Sequence, residues 1–216
     1  MLEIIILLFV DRLIWNLHDS TSFTPNRPTH MNPDFSFAIT FVSLIYGLGI
    51  THSLTCMAEN IQHKSEIKQS LLWWTWAILF LLFSCGTWFG IYFSWSHEDS
   101  WAMPEFSFLA IQSSVFYISL HLFFNHPLQI PNRSLETDFF NNRKSSLLCL
   151  SIVLFMQSIL SKILFTAEQL DEIILNNLSE NIFIAVIIFL SFTRKKTYHL
   201  LGALGCYIGF VMRMLD

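Results

Sequence analysis

Charged side chains are scarce in this sequence of 216 residues, in which Asp, Glu, Lys and Arg together make up 13% of the chain. Hydrophobic residues make up 53%, and aromatic residues account for 16%. A water-soluble domain has about 25% charged residues. The composition therefore excludes an ordinary soluble domain and favours a protein that lies in a lipid bilayer.

Motifs of catalysis and of disulfide-rich folds are missing as well. The four cysteines all fall inside apolar stretches, so no disulfide framework of a small secreted domain is indicated. The sequence contains no CxxC or HExxH motif and no Gly-rich phosphate loop, and we cannot assemble a nucleophile with a base. We therefore do not predict an enzyme, and we expect no nucleic-acid partner.

Six long apolar stretches follow one another after residue 31, and none of them contains proline. Each is close to the ~20 residues that an α-helix needs to cross a ~30 Å hydrocarbon core. Barrel strands would instead alternate over ~10 residues, so we predict an all-α polytopic membrane bundle. Without proline, nothing indicates the broken helices of many transporters. The predicted spans are Phe35–Ala58, Leu71–Ser94, Phe106–Phe124, Leu147–Thr166, Ile173–Thr193 and Tyr198–Leu215.

Lysine and arginine are absent from the second and fourth loops between these spans. Eight of the twelve basic residues lie in the first, third and fifth loops. Positively charged loops stay in the cytoplasm. We therefore predict that residues 59–70, 125–146 and 194–197 are cytoplasmic and that the C-terminus is external, with the lipid bilayer as the surrounding partner.

Tryptophan placement agrees with this orientation, because indole rings favour the membrane interface. Trp73, Trp74 and Trp76 lie at the predicted inner end of the second span, where they are expected to form part of an interfacial belt. Trp88 lies deeper in the same span, and we predict that it packs against neighbouring helices.

Residues 1–30 differ from the rest of the chain. The apolar run Ile4–Val10 is too short to span a bilayer and is followed at once by two charged residues. An acidic start and the lack of a small-residue cleavage pattern are unlike a signal peptide. We predict an interfacial helix and polar linker that need not be native, with translation beginning at Met31 and residues 31–216 forming one membrane domain. A seventh span over residues 2–17 is the alternative.

Glycine occurs only in the first, second and sixth spans. Small residues at steps of four allow two helices to approach closely. We predict that these three helices pack tightly within one chain, and the alternative is a homo-oligomer built on an exposed small-residue face. The predicted packing residues are Ser43, Gly47, Thr51, Gly86, Gly90, Gly202, Gly205 and Gly209.

Polar side chains near the outer side of the spans are a first set of candidate functional residues. A charge at the bilayer centre costs about 3 kcal/mol on insertion scales, so such residues often mark function. A channel or small-solute transporter would use Gln112, Gln157, Lys162 and Glu180, and we predict that a Lys162–Glu180 pair faces a small external vestibule. The alternative is that Lys162 snorkels to the interface and Glu180 lies in the first turn of a shorter helix.

Histidines near the cytoplasmic side are a second set. His52, His121 and His199 fall at similar depths on the first, third and sixth helices. Imidazole binds zinc, copper and haem iron, so the three are candidate metal or haem ligands. The alternative is that each bonds to water, a lipid headgroup or a neighbouring hydroxyl. No particular cofactor is predicted.

Two segments carry a resemblance to a known family, namely Phe41-Val-Ser-Leu-Ile-Tyr-Gly-Leu-Gly-Ile-Thr-His52 and Asp138-Phe-Phe-Asn-Asn-Arg143. With the Trp-rich second span and Pro127, they make the chain from Met31 to about Phe165 similar to a family of small, uncharacterised bacterial multi-pass inner-membrane proteins. The resemblance implies a bacterial inner membrane and a start near Met31. It implies no activity.

Three function classes fit the sequence. A non-enzymatic scaffold, sensor or accessory subunit fits the short loops and predicts a homo-oligomer or a complex with a cytosolic protein partner. A channel or carrier predicts solute flux in liposomes, and a metal or haem protein predicts a bound cofactor. The first class is our leading prediction.

Overall fold

The computed structural model describes residues 33–95, 103–124, 133–165 and 178–215. The predictions for residues 1–30 lie outside these ranges. Within them the chain is helical and contains no β-strand, which confirms the all-α prediction. The elements are α1 (Pro33–Gln62), α2 (Leu71–Trp95), α3 (Met103–Phe124), α4 (Leu135–Phe155, a π-helical turn Met156–Leu160 and Ser161–Phe165), α5 (Leu178–Phe192) and α6 (Lys196–Leu215).

Four of the described helices are long and apolar enough to cross a membrane, where the sequence predicts six spans. They are the first four in chain order, α1 to α4. Helix α5 is apolar but has 15 residues, which reach ~22 Å at 1.5 Å per residue and fall short of a ~30 Å core. Helix α6 begins with polar residues, including Lys196 and His199. These helices fit a membrane location.

The third predicted loop is partly helical, because α4 begins at Leu135 and not at Leu147. Leu135 and Phe139 are buried in the core. The ring of Phe139 lies 6.1 Å from that of Trp76 on α2 and 5.0 Å from that of His199 on α6. Burial of these side chains stabilises three helical turns that hydropathy does not predict as part of a span.

An aromatic core fills the bundle at the start of α2. Trp73 and Trp76 are fully buried. The ring centroids of Phe80 and Phe123 are 4.6 Å apart, and Trp73 stacks on Phe123 at 5.9 Å. Trp73 and Trp76 therefore pack inside the protein and do not face lipid, and only Trp74 of the three is partly exposed; their depth in the membrane stays a prediction. Large aromatic rings stabilise a core more than any other side chain, which explains their position.

Large apolar side chains also cover the outside of the helices. Phe37, Leu44, Leu48 and Ile111 are each more than half exposed. A continuous apolar surface of this kind would promote aggregation in water. In a bilayer the same side chains contact acyl chains, so the surface agrees with the composition.

Helix α2 packs on α1, α4 and α6, and helix α4 also packs on α3 and α5. Helix α3 packs on α1 and on α4. The sequence predicts that α1, α2 and α6 pack tightly together. Helix α2 does contact both α1 and α6. Helix α1 makes its most extensive contacts with α3.

Candidate functional site

The first, third and fifth loops meet at one end of the bundle. The backbone N–H of Lys68 donates to the carbonyl of Arg133 at 2.8 Å, and the N–H of Leu135 donates to the carbonyl of Lys68 at 3.1 Å. These bonds join the first and third loops as a short parallel bridge. Lys196 Nζ lies 2.6 Å from Glu136 Oε2 and joins the fifth loop to the third. The three basic loops are thus parts of one surface.

Six basic side chains on this surface are exposed, and we refer to them as the basic face. Arg133 and Arg143 come from the same loops but are buried. Exposed cations that lie together create a positive potential that attracts anionic groups. The basic face consists of Lys64, Lys68, Lys144, Arg194, Lys195 and Lys196.

Two buried side chains converge on the carbonyl of Thr193, in the turn between α5 and α6. Arg143 Nε donates to it at 2.8 Å, and His199 Nε2 lies 3.0 Å from it. Because a carbonyl only accepts, His199 carries a proton on Nε2. Arg143 also donates through Nη1 to the carbonyl of Phe140. This carbonyl cluster fastens the α5–α6 turn to α4.

The predicted inner histidines divide into a pair and a separate residue. The rings of His52 and His121 are 4.8 Å apart, His121 stacks on Tyr117, and Cys56 Sγ lies 3.9 Å from His52 Nε2. His199 is instead enclosed by aromatic rings of α2 and α4. Across the described ranges, no group of three or more His, Cys, Asp or Glu could hold a metal ion. The three histidines therefore do not meet as one ligand set.

Two of the predicted outer residues pack between helices, and one of them, Gln112, is fully buried. The Nε2 of Gln112 has no hydrogen-bond partner within the described chain. Gln157 lies in the π-helical turn of α4, a feature that often marks functional sites. Its amide packs on Gly90, where an added Cβ would lie 2.6 Å from Nε2. Ser119 Oγ donates to the carbonyl of Ser146 at 2.8 Å, and this antiparallel register offsets Gln112 and Gln157 by about one helical turn (~6 Å) along the helix axes.

The other two outer residues, Lys162 and Glu180, are partly buried. Lys162 lies in the last segment of α4, and Glu180 lies in the first turn of α5. The position of Glu180 matches the alternative of a shorter fifth helix. The connection between these helices, residues 166–177, lies outside the described ranges, and the vestibule stays a prediction.

The predicted packing residues form two groups. Some contact a neighbouring helix: Ser43 Oγ, for example, accepts a hydrogen bond of 2.9 Å from Trp88 Nε1, which agrees with the predicted packing role of that indole. Others face open space, because no atom lies within 4 Å of an added Cβ or because the side chain is exposed. The residues in contact are Ser43, Gly86, Gly90 and Gly202, and the outward-facing ones are Gly47, Thr51, Gly205 and Gly209.

An open groove of about 510 Å³ runs between α5 and α6. Its walls are apolar side chains, among them Ile182 and Val186 of α5 and Leu201 of α6, with Tyr198 at one end. Sequence reasoning missed this α5–α6 groove, as it missed the carbonyl cluster. In the sequence, a short run of basic residues between two apolar helices indicates a helical hairpin. It does not show where the two helices of the hairpin separate to leave a groove.

The fold and these sites define an all-α protein with several membrane-capable helices and a basic end. Comparison with protein-family models, with curated proteins and with solved structures gives no match for the chain. Its function is therefore inferred from the arrangement of its own residues.

Proposed function

We propose that this chain is an integral protein of the bacterial inner membrane that crosses the bilayer six times, with the basic face in the cytoplasm and the C-terminus outside. All three basic loops are joined at one end of the bundle. This supports the orientation, since positively charged loops stay in the cytoplasm. Helices α5 and α6, connected by the three residues between Phe192 and Lys196, supply the last two crossings as a hairpin. Because the 15 residues of α5 are shorter than a ~30 Å core, this crossing requires local thinning of the bilayer.

Within that membrane, we propose, the chain is a non-enzymatic scaffold or accessory subunit whose basic face binds a cytosolic protein. The observation that carries this proposal is the rigid construction of the face: backbone hydrogen bonds, the Lys196–Glu136 pair and the carbonyl cluster hold its loops together. A surface that is already ordered loses less entropy when it binds. Its positive charge would steer and orient an acidic partner.

Single cysteines test the orientation. In a chain whose four native cysteines are replaced by alanine, we expect Ser65→Cys and Thr197→Cys to react with a membrane-impermeant maleimide only after spheroplasts are permeabilised. Met103→Cys, at the opposite end, should react in intact spheroplasts. All three positions are exposed, so access depends on the side of the membrane. Labelling of Ser65→Cys from outside would contradict the orientation.

Photocrosslinking in the native membrane tests the partner. Benzoylphenylalanine at Ser65 should yield one discrete adduct, whereas the same group at Met103 should not. Reversing two charges of the basic face, Lys64→Glu with Lys68→Glu, should weaken the adduct about tenfold or more, because charge complementarity selects the partner. Both side chains are exposed, so the fold should be retained. An adduct of unchanged yield after charge reversal would rule out the basic face as the docking surface.

A further inference from the structure

The α5–α6 groove widens from a closed end to an open one. At the closed end Gly202 touches Leu190, and an added Cβ would collide with the leucine side chain. One helical turn further on, Gly205 faces open space. The lining residues extend over about eight residues of each helix, from Ile182 to Leu190 and from Tyr198 to Cys206, which is ~12 Å. This length is close to the ~15 Å depth of one leaflet's hydrocarbon.

Two cations of the basic face lie in the α5–α6 turn at the closed end of this groove, and a third contacts the end of α5. Arg194 and Lys195 belong to the α5–α6 turn itself and are exposed. Lys195 Nζ lies 5.3 Å from the centre of the ring of Tyr198, which lines the groove. Lys144 Nζ lies 5.3 Å from the ring centre of Phe192, the last residue of α5. Apolar walls and positive charge therefore meet at one point.

We infer that the α5–α6 groove binds one anionic phospholipid, with an acyl chain along its apolar walls and the phosphate at Lys144, Arg194 and Lys195. The inference rests on the proposed membrane placement, which sets these cations at headgroup level. Basic residues close to a membrane attract anionic lipids specifically.

The same charges disfavour a second copy of the chain as the occupant. A copy with the same orientation in the membrane would bring its own Arg194, Lys195 and Lys196 to the same level as these cations. Like charges placed together at an interface cost free energy, and no acidic residue lines the groove to offset it. The charge of an anionic headgroup is complementary to these cations, whereas a second α5–α6 hairpin would bring more positive charge.

Native mass spectrometry of the full chain in mild detergent tests this assignment. Titrated separately with palmitoyl-oleoyl phosphatidylglycerol and phosphatidylcholine, the protein should bind one phosphatidylglycerol about tenfold more tightly than phosphatidylcholine. The variant Arg194→Gln with Lys195→Gln should lose that preference, because two charges at about fivefold each account for all of a tenfold difference. Gly205→Trp, which fills open space, should weaken binding of the tested lipid at least tenfold.

Matched controls separate the site from general effects. Lys64→Gln removes a cation from the same basic face but from another loop, and Gly47→Trp adds an indole to an equally open position on α1. Both should bind phosphatidylglycerol like the unmodified chain. Monodisperse elution of every variant shows that the fold is retained.

Three outcomes would overturn the inference. They are equal affinity for the two lipids, loss of preference in the Lys64→Gln control, or a dimer that Gly205→Trp dissociates, which would make a second copy the occupant. Native mass spectrometry measures lipid binding whether or not the basic face binds a cytosolic protein. A chain that fails the partner crosslink but prefers phosphatidylglycerol retains the lipid site, and a chain that passes the topology assay without lipid preference refutes this site only.

Discussion

Replacing His199 with alanine is expected to lower the free energy of unfolding by about 3 kcal/mol, the largest effect that we predict for a single substitution. Its imidazole is fully buried and bonds to the carbonyl of Thr193. Removing a buried ring of this size leaves a cavity and breaks a hydrogen bond, which together cost about 2–5 kcal/mol. Because the histidine links α6 to the α5–α6 turn, we expect this hairpin to loosen first.

Unfolding of the purified protein by SDS in mixed micelles, followed by tryptophan fluorescence, measures this effect. Trp76 lies 6.2 Å from the imidazole ring and should report the local change. The control is His63→Ala, since His63 is exposed in the first loop at the same end of the bundle. We expect less than about 0.5 kcal/mol there. Equal losses for the two variants would show that the carbonyl cluster does not stabilise the hairpin.

The second large effect concerns two glycines of α1 that lie two residues apart. A Cβ added at Gly49 would lie 2.7 Å from Leu120 Cδ1 and 3.6 Å from Tyr117 Cδ2 on α3. Leu120 is fully buried and has little room to move. Valine at this position should push α1 and α3 apart and cost about 2 kcal/mol, in the ~1–3 kcal/mol range of overpacked cores.

Gly47→Val is the matched control for Gly49→Val. No atom lies within 4 Å of a Cβ added at Gly47, so valine there should change stability by less than about 0.5 kcal/mol. Both variants carry the same change in helix propensity, and the difference between them isolates packing. Thermal stability in detergent, read by size-exclusion chromatography after heating, measures that difference. A Gly47→Val protein as unstable as Gly49→Val would place an unrecognised contact at Gly47.

Hydropathy predicted that the helices exist, but it did not predict where each helix begins or which side chains it buries against its neighbours. It placed the start of the fourth span at Leu147, whereas α4 starts at Leu135 because Leu135 and Phe139 are buried under neighbouring helices. The preference of indole rings for the membrane interface placed Trp73 and Trp76 in an interfacial belt, because they lie near a helix end. Their actual burial depends on Phe123 and Phe139, which are distant in sequence. No local pattern contains that information.

The candidate sites show the same limit. Depth along the helices correctly brought His52 near His121, but it also grouped them with His199, which lies among aromatic rings elsewhere. Depth cannot show the direction in which a side chain points around its helix. The α5–α6 groove depends in addition on where two helices separate. Gly202 lies against Leu190 of the facing helix, whereas no atom lies within 4 Å of a Cβ added at Gly205.

The amino-acid sequence by itself determined that this protein is helical, suited to a membrane and basic in alternate loops, because run length, apolarity and charge are local properties of the chain. Only the tertiary structure decided which side chains meet. Successive residues of an α-helix are rotated by about 100°, so Gly47 and Gly49 point in nearly opposite directions. One therefore faces outward and the other packs under Leu120, and this choice follows from the position of α3.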